Sequence, residues 1–261
     1  MTESSPQHNT LLTDAQIEIV RGAQPNLDPH FTFVVENTTA WFQEARNLVL
    51  SIRKGEHPHT GAAVSVHFAS SVRPEFQSEL EDLGAKVKVS DPFDPRSAPC
   101  NKLNILDFQL EKDEFLVLID ADTIVVGEIF QPKSVSAALE YYNQLAPEEW
   151  KGLCRETGVP FPESRTRMTA GGKATLPYWN TGLVTISSEA RTGLAKEWKI
   201  LARKTADWLQ IHKPEATWFT DQISFALLVF ANNHTLVTLP SSAFRDTSSP
   251  IGVHLGGDPP K

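Results

Sequence analysis

Between His30 and Ser90 the chain switches repeatedly between two hydrophobic periods, and this alternation limits its possible folds more than any other feature. HFTFVVE (30–36), AAVSVHFAS (62–70) and KVKVS (86–90) are short, β-branched and aromatic, and read as strands. Between them, TTAWFQEARNLVLSIRKG places Trp41, Ala45, Leu48 and Ile52 on one helical face, with Thr38 or Thr39 as cap and Gly55 as stop. RPEFQSELEDLGA is a second helix, with Pro74 in its first turn and Gly84 at its end. Strands separated by helices predict an α/β fold, a doubly wound and mostly parallel sheet flanked by helices. In such sheets ligands bind beyond the carboxyl ends of the strands.

Further along, the Pro-rich DPFDPRSAPC predicts a loop and NKLNILDF a helix. FLVLID (115–120) is then a strand that runs straight into two acids, Asp120 and Asp122. A carboxylate at the tip of a buried strand is costly unless a cation, a helix N-terminus or solvent neutralises it. Two carboxylates two residues apart can address one hard cation, which prefers oxygen ligands. Thr123 and Gly127 indicate a defined turn after them.

The second half is less regular. Residues 147–178 show no clear periodicity and read as an irregular loop or a flap over the site. NTGLVTIS is a strand, the segment 187–210 a helix with Leu194, Trp198, Leu201 and Trp208 facing inward, and 218–230 an apolar helix interrupted by Asp221 and Gln222. TLVTLP is a last strand. The division expected is an N-terminal arm over 1–28, taken as mobile, and a single domain over 29–261.

A formal charge of −8 on 261 residues argues against a nucleic-acid partner, which calls for clustered Lys and Arg. Cys100 and Cys154, the only cysteines, have neither zinc nor redox spacing and read as free thiols of a reducing compartment. No apolar run reaches the roughly 20 residues of a membrane helix, and the polar N-terminus lacks the pattern of a secretion signal. The location expected is cytoplasmic.

Four segments in order carry a family likeness. FLVLIDADTIVVGEIF resembles the Asp-x-Asp segment of nucleotide-sugar glycosyltransferases with the GT-A fold, and most of all family 8, the glycogenin and lipopolysaccharide galactosyltransferase group. YWNTGLVTIS, TDQISFALLVF and VHLGGDPPK are similar to that family's Asn-x-Gly strand, its Asp-Gln helix start and its closing His-Gly-Lys segment. The last departs from the pattern, since Lys261 stands one position late and no Pro-Trp follows it.

The resemblance implies transfer of a sugar, with retention of configuration in the family's manner, from a nucleoside-diphosphate sugar to a carbohydrate or other hydroxyl acceptor. A UDP-sugar is the favoured donor. It implies that Asp120 and Asp122 hold Mn²⁺ or Mg²⁺, with His254 adding a nitrogen ligand that tilts the choice toward Mn²⁺. By the same likeness Ala121 and Gly257 lie along the diphosphate, and Glu36, Asn37 and Thr38 read base and ribose. Asn180, Asp221 and Gln222 are implied at the reacting sugar. Lys102 meets a phosphate or is a solvated helix charge. His57 and His59 look like a metal pair, yet a Pro-containing surface loop accounts for them. Two other readings stand beside the transferase: a haloacid-dehalogenase-like phosphatase with Asp120 as nucleophile, and a sugar-nucleotide-binding protein without turnover.

Overall fold

The computed structural model describes residues 27–107, 110–111, 114–129, 132, 134–140, 143–162, 166–167, 174–232, 236–239 and 253–254. The expected arm (1–28) therefore lies outside the description, apart from its last two residues. Strands β1 (Asp28–Glu36), β2 (Ala63–Ala69), β3 (Lys86–Ser90) and β4 (Glu114–Ile119) fall where the sequence pattern puts them. So do helices α1 (Thr39–Lys54) and α2 (Pro74–Asp82). Thr38 caps α1, its hydroxyl accepting from the Trp41 N–H at 3.3 Å.

After β4 come β5 (Thr123–Ile124), β6 (Val135–Leu139), helix α3 (Pro147–Thr157) and the short strands β7 (Thr166–Arg167) and β8 (Ala174–Thr175), which pair with each other. Then follow β9 (Trp179–Ile186), α4 (Ser188–His212), α5 (Thr220–Asn232), β10 (Leu236–Leu239) and β11 (Val253–His254). The main sheet has the order β10-β6-β9-β4-β1-β2-β3. It is parallel except at β9, which runs antiparallel to both β4 and β6. Among the described residues no helix is long and apolar enough to cross a membrane.

Both faces of β4 are covered, which is why FLVLI shows no polar alternation. Phe115, Val117 and Ile119 join the core beneath α1 and α2, where Phe42 stacks on Phe76. Leu116 and Leu118 join the opposite core with Trp150, Trp198 and Phe225 from α3, α4 and α5. Asp120, the next residue of even parity, therefore belongs on the α4–α5 side.

Several expectations need correction. NKLNILDF is not α-helical; residues Ala98–Asp107 form successive 3-10 turns. The first part of 147–178 is not irregular but is helix α3, with Pro147 in its first turn and the Glu149 carboxylate accepting from the Ala146 N–H. Trp150, Leu153, Cys154 and Thr157 bury one face of it, and Gly158, at φ 78°, ends it in the left-handed region. The apolar helix expected from Trp218 begins later, at Thr220, after 3-10 turns over Pro214–Phe219.

His59 is not a solvated loop residue. It is buried, and its Nε2 accepts from the Ile129 N–H at 2.8 Å, while the Ser51 hydroxyl accepts from the Val125 N–H at 3.0 Å. These two bonds fasten the segment that follows the acids to the end of α1 and the loop after it. Burial, helped by nearby His57, pushes the His59 pKa down to about 4, and burial does the same to His67. Both are depressed below the ordinary value near 6.5, so the stability they carry is complete above that value and is lost as pH falls through 4. Urea unfolding should show stability dropping across this window by up to ~1.4 kcal/mol per pH unit for each histidine. His59→Gln, which stays neutral and can still accept from Ile129, should flatten that slope by about one proton's worth.

Candidate active site

The turn after β4 is built by its own backbone. The Asp120 N–H donates to the Gly182 carbonyl at 2.8 Å, which extends the pairing with β9 by one residue. The Thr123 N–H then donates to the Asp120 carbonyl at 3.2 Å and closes a turn around Ala121 and Asp122. Ala121 is 3% exposed and packs into the core beneath α1, so its contribution to any ligand contact is through its backbone. Asp120 and Asp122 are both half-buried.

The reversed direction of β9 gathers the remaining groups. An antiparallel neighbour starts where β4 ends, so Asn180, Thr181 and Gly182 stand beside Asp120. β9 also pairs antiparallel with β6, which brings the end of that strand to the same place, with Leu139 opposite Trp179 and Glu140 immediately beyond. The Asn180 amide donates to Glu140 Oε2 at 2.7 Å, and its carbonyl oxygen accepts from the Gly182 N–H at 2.6 Å. Asn180 is thus held by one anchor on each side. Glu140, 7% exposed, was not singled out from the sequence. VSAALE nevertheless has the same form as FLVLID, an apolar strand ending in an acid.

Lys102 joins these pieces. Its Nζ lies 2.6 Å from Asp120 Oδ1, 3.1 Å from Asp221 Oδ2 and 3.3 Å from the Thr181 carbonyl. An ammonium has three hydrogens to donate, and all three have acceptors here. The Thr181 hydroxyl donates to the same Asp221 oxygen at 2.5 Å. Lys102 is 4% exposed and Asp221 2%, so neither is a solvated charge. Burial works against the Lys102 ammonium, but Asp120 and Asp221 outweigh it and hold the pKa above its usual value. The solvated-charge reading of Lys102 is therefore wrong. Asp221 turns its carboxylate inward to Lys102 and Thr181, where the sequence suggested a sugar.

Two carboxylates, Asp120 and Asp221, meet this ammonium; Asp122 follows on the same turn and Glu140 is joined to the site through Asn180. Four buried polar atoms nearby, Thr123 Oγ1, Tyr178 Oη, Trp179 Nε1 and Gln222 Oε1, have no hydrogen-bond partner among the described residues. Buried polar atoms without partners are uncommon and often await water or a ligand. Burial first, then Asp221 and Glu140, push the Tyr178 phenol well above its ordinary pKa, so it stays protonated. Among the described residues no three His, Cys, Asp or Glu side chains form a ready metal cage. The donor chemistry still suits a hard divalent ion, because Asp120 and Asp122 flank one turn and β11 pairs His254 with Thr123 in register. The His254 side chain and Gly257 lie outside the described residues.

A cleft of about 350 Å³ opens at the carboxyl ends of β1, β2 and β3, lined among others by Glu36, Asn37, Thr38, Ser70, Asp94 and Asn101. Asn37 is fixed at its edge, donating to the Ser71 hydroxyl at 3.1 Å and accepting from the Arg73 N–H at 3.2 Å. Hydrogen bonds from Arg96 hold Asp94 ionised below its usual range. Asn101 lines this cleft and its neighbour Lys102 reaches the acids, so one 3-10 segment spans both places. A larger cleft of about 450 Å³, between the end of α1 and Ile124–Val126, is mostly apolar in lining and holds none of these acids.

A family model described as the Rhodobacterales glycosyltransferase domain matches residues 31–232. Mouse xyloside xylosyltransferase 1, in its apo form, superposes with a TM-score of 0.50 and 14% identity, over 87% of this chain and 97% of that one. The WbbM bifunctional glycosyltransferase in its apo structure gives a TM-score of 0.52 and 12% identity, over 90% of this chain. The match spans 46% of the WbbM chain, less than half its length. At such identities the likeness speaks for the fold alone, a mixed α/β sheet of the GT-A type flanked by helices. No curated protein matches the chain by sequence.

Removing one partner of a buried ion group leaves the others uncompensated. Lys102→Met should therefore destabilise the fold by ~3–5 kcal/mol in urea unfolding, with part of the loss recovered in the double variant Lys102→Met/Asp221→Leu. Additive losses would mean that the two side chains are not coupled.

Proposed function

The chain belongs to the Rhodobacterales glycosyltransferase domain family, and from that membership we propose that it moves a sugar from a nucleoside-diphosphate donor to an acceptor hydroxyl with the help of a divalent cation. The observation that carries this reading is the convergence of Asp120, Asn180, Glu140, Lys102 and Asp221 at the carboxyl end of β4, next to a cleft of nucleoside size. Family membership also sets aside the phosphatase reading of Asp120 as a nucleophile.

In the proposed reaction the bond from the anomeric carbon to the diphosphate oxygen breaks, and a bond from that carbon to the acceptor oxygen forms. The acceptor's proton leaves with the diphosphate. The likeness to family 8 supports retention of configuration, and it favours UDP as the donor's nucleotide. Glu36, Asn37 and Thr38 take the nucleoside in the cleft they line. Asp120, Asp122 and His254 would hold the cation, Mn²⁺ before Mg²⁺ given the mixed oxygen and nitrogen donors. When bound, such an ion neutralises the charge that gathers on the departing diphosphate.

The chain's own residues do the rest. Lys102 fixes the rotamer of Asp120 and couples it to α5 through Asp221, which makes both of them positioning residues. Asn180 and Glu140 present an amide and a carboxylate to the sugar hydroxyls. Gln222, one residue past Asp221, would stand near the anomeric carbon, and Gly257 would contact the diphosphate.

The test is thermal unfolding with and without Mn²⁺, UDP, GDP and their sugars. Mn²⁺ alone should shift the melting temperature little. UDP with Mn²⁺ at a hundredfold its Kd should add ~2.7 kcal/mol, a shift of roughly 5–10 °C for a chain of this size. Asp122→Ala should abolish the added shift. If that variant keeps it, the cation assignment is wrong; a shift with no slow hydrolysis of any sugar nucleotide would point to a binding protein without turnover.

A further inference from the structure

Of the six tryptophans, Trp218 alone is exposed, at 38%. Trp150, Trp179, Trp198 and Trp208 are buried, and Trp41 lies half-buried on α1. Four of those five meet other rings or sit deep in the core, whereas the Trp218 ring stacks on no ring and no cation among the described residues. A single exposed aromatic is ordinary by itself. Its place in the chain is what gives this one meaning.

Trp218 lies in the 3-10 turns of Pro214–Phe219 that lead into α5. Residues three apart in such turns share a face. On one face Ala216 is buried and Phe219 packs against the core. On the next, the chain descends from exposed Glu215 through Trp218 to Asp221, which is 2% exposed and bonded to Lys102. Trp218 therefore stands one turn before Asp221, at the exposed end of the segment whose next turn reaches the buried ion group. The residue after Asp221, Gln222, keeps its side-chain oxygen buried and without a donor.

A pyranose ring presents an apolar C–H face and hydroxyl donors; this segment carries an exposed flat ring and, four residues on, a buried acceptor without a donor among the described residues. We propose that Trp218 and Gln222 form the acceptor subsite and that the acceptor is a saccharide, stacked on the indole and donating a hydroxyl to Gln222 Oε1. This rests on the transferase reading above and adds the acceptor class to it. A stiff aromatic with two rotatable bonds suits the purpose, because it holds a ligand face at small entropic cost.

The experiment is an NMR titration of methyl β-glucoside, β-galactoside, β-xyloside and α-mannoside against the full chain saturated with UDP and Mn²⁺, beside a serine peptide and a short-chain lipid alcohol. At least one glycoside should bind. Trp218→Ala should weaken it roughly five- to tenfold, and Trp218→Phe, which keeps a ring, should restore most of the affinity. The UDP–Mn²⁺ thermal shift, measured on the same variants, reports whether fold and donor site survive. Glycoside binding unchanged in Trp218→Ala overturns the subsite. A UDP–Mn²⁺ shift in the wild type with no glycoside bound, or with the peptide or lipid alcohol bound instead, overturns the saccharide acceptor and leaves the transferase standing. No UDP–Mn²⁺ shift in the wild type overturns both.

Discussion

A buried ammonium shared between two carboxylates fixes this site. Lys102 ties together four separately folded pieces: the 3-10 segment it belongs to, the tip of β4 through Asp120, the start of β9 through Thr181, and the first turn of α5 through Asp221. Moving charges out of water costs several kcal/mol per ion, and only close geometry with full hydrogen bonding offsets that. Here the offset comes from three acceptors within 3.3 Å and a threonine hydroxyl on the far carboxylate. An apolar cluster of the same volume would stabilise the fold as well or better. The ionic solution makes sense if the position of Asp120 matters more than stability does.

That position matters because of what one ammonium leaves undone. Asp120 and Asp221 meet one lysine, Asp122 and Glu140 join the site through the β4 turn and Asn180, and several buried polar atoms lack hydrogen-bond partners among the described residues. A fixed internal cation neutralises part of the charge permanently and holds the acids in place. In the proposed reaction, Asp122 would join Asp120 in holding an exchangeable cation that arrives with a diphosphate. One 3-10 segment serves both places, with Asn101 lining the cleft at the ends of β1 to β3 and Lys102, the next residue, reaching the acids.

Much of this was legible in the sequence, and what was not has physical causes. Short β-branched and aromatic runs marked β1 to β4, and the 3.6-residue period marked α1 and α2, each of which buries one recognisable face. The pair Asp120 and Asp122 stood out because acids at the end of FLVLI need explanation. The direction of β9 did not show, because NTGLVTIS reads the same whether its neighbours run parallel or antiparallel, and that direction is what brings Asn180 to Asp120. The strand VSAAL was missed because small residues carry little β signal, and with it went Glu140. Helix α3 was missed although Trp150, Leu153, Cys154 and Thr157 keep helical spacing, because the Gly- and Pro-rich stretch after it dominated the reading. Lys102 and His59 looked like surface residues for one reason: burial of a polar group depends on partners distant in sequence, here Asp221 and Ile129.

Anomalous diffraction at the manganese edge, from crystals grown with UDP and Mn²⁺, bears most directly on the claim that the tip of β4 is a cation site. One strong peak is expected within bonding distance of the Asp120 and Asp122 carboxylates and of the His254 ring, with the diphosphate on its other side. A peak elsewhere, or an ordered diphosphate at this place with no metal beside the two acids, would contradict it.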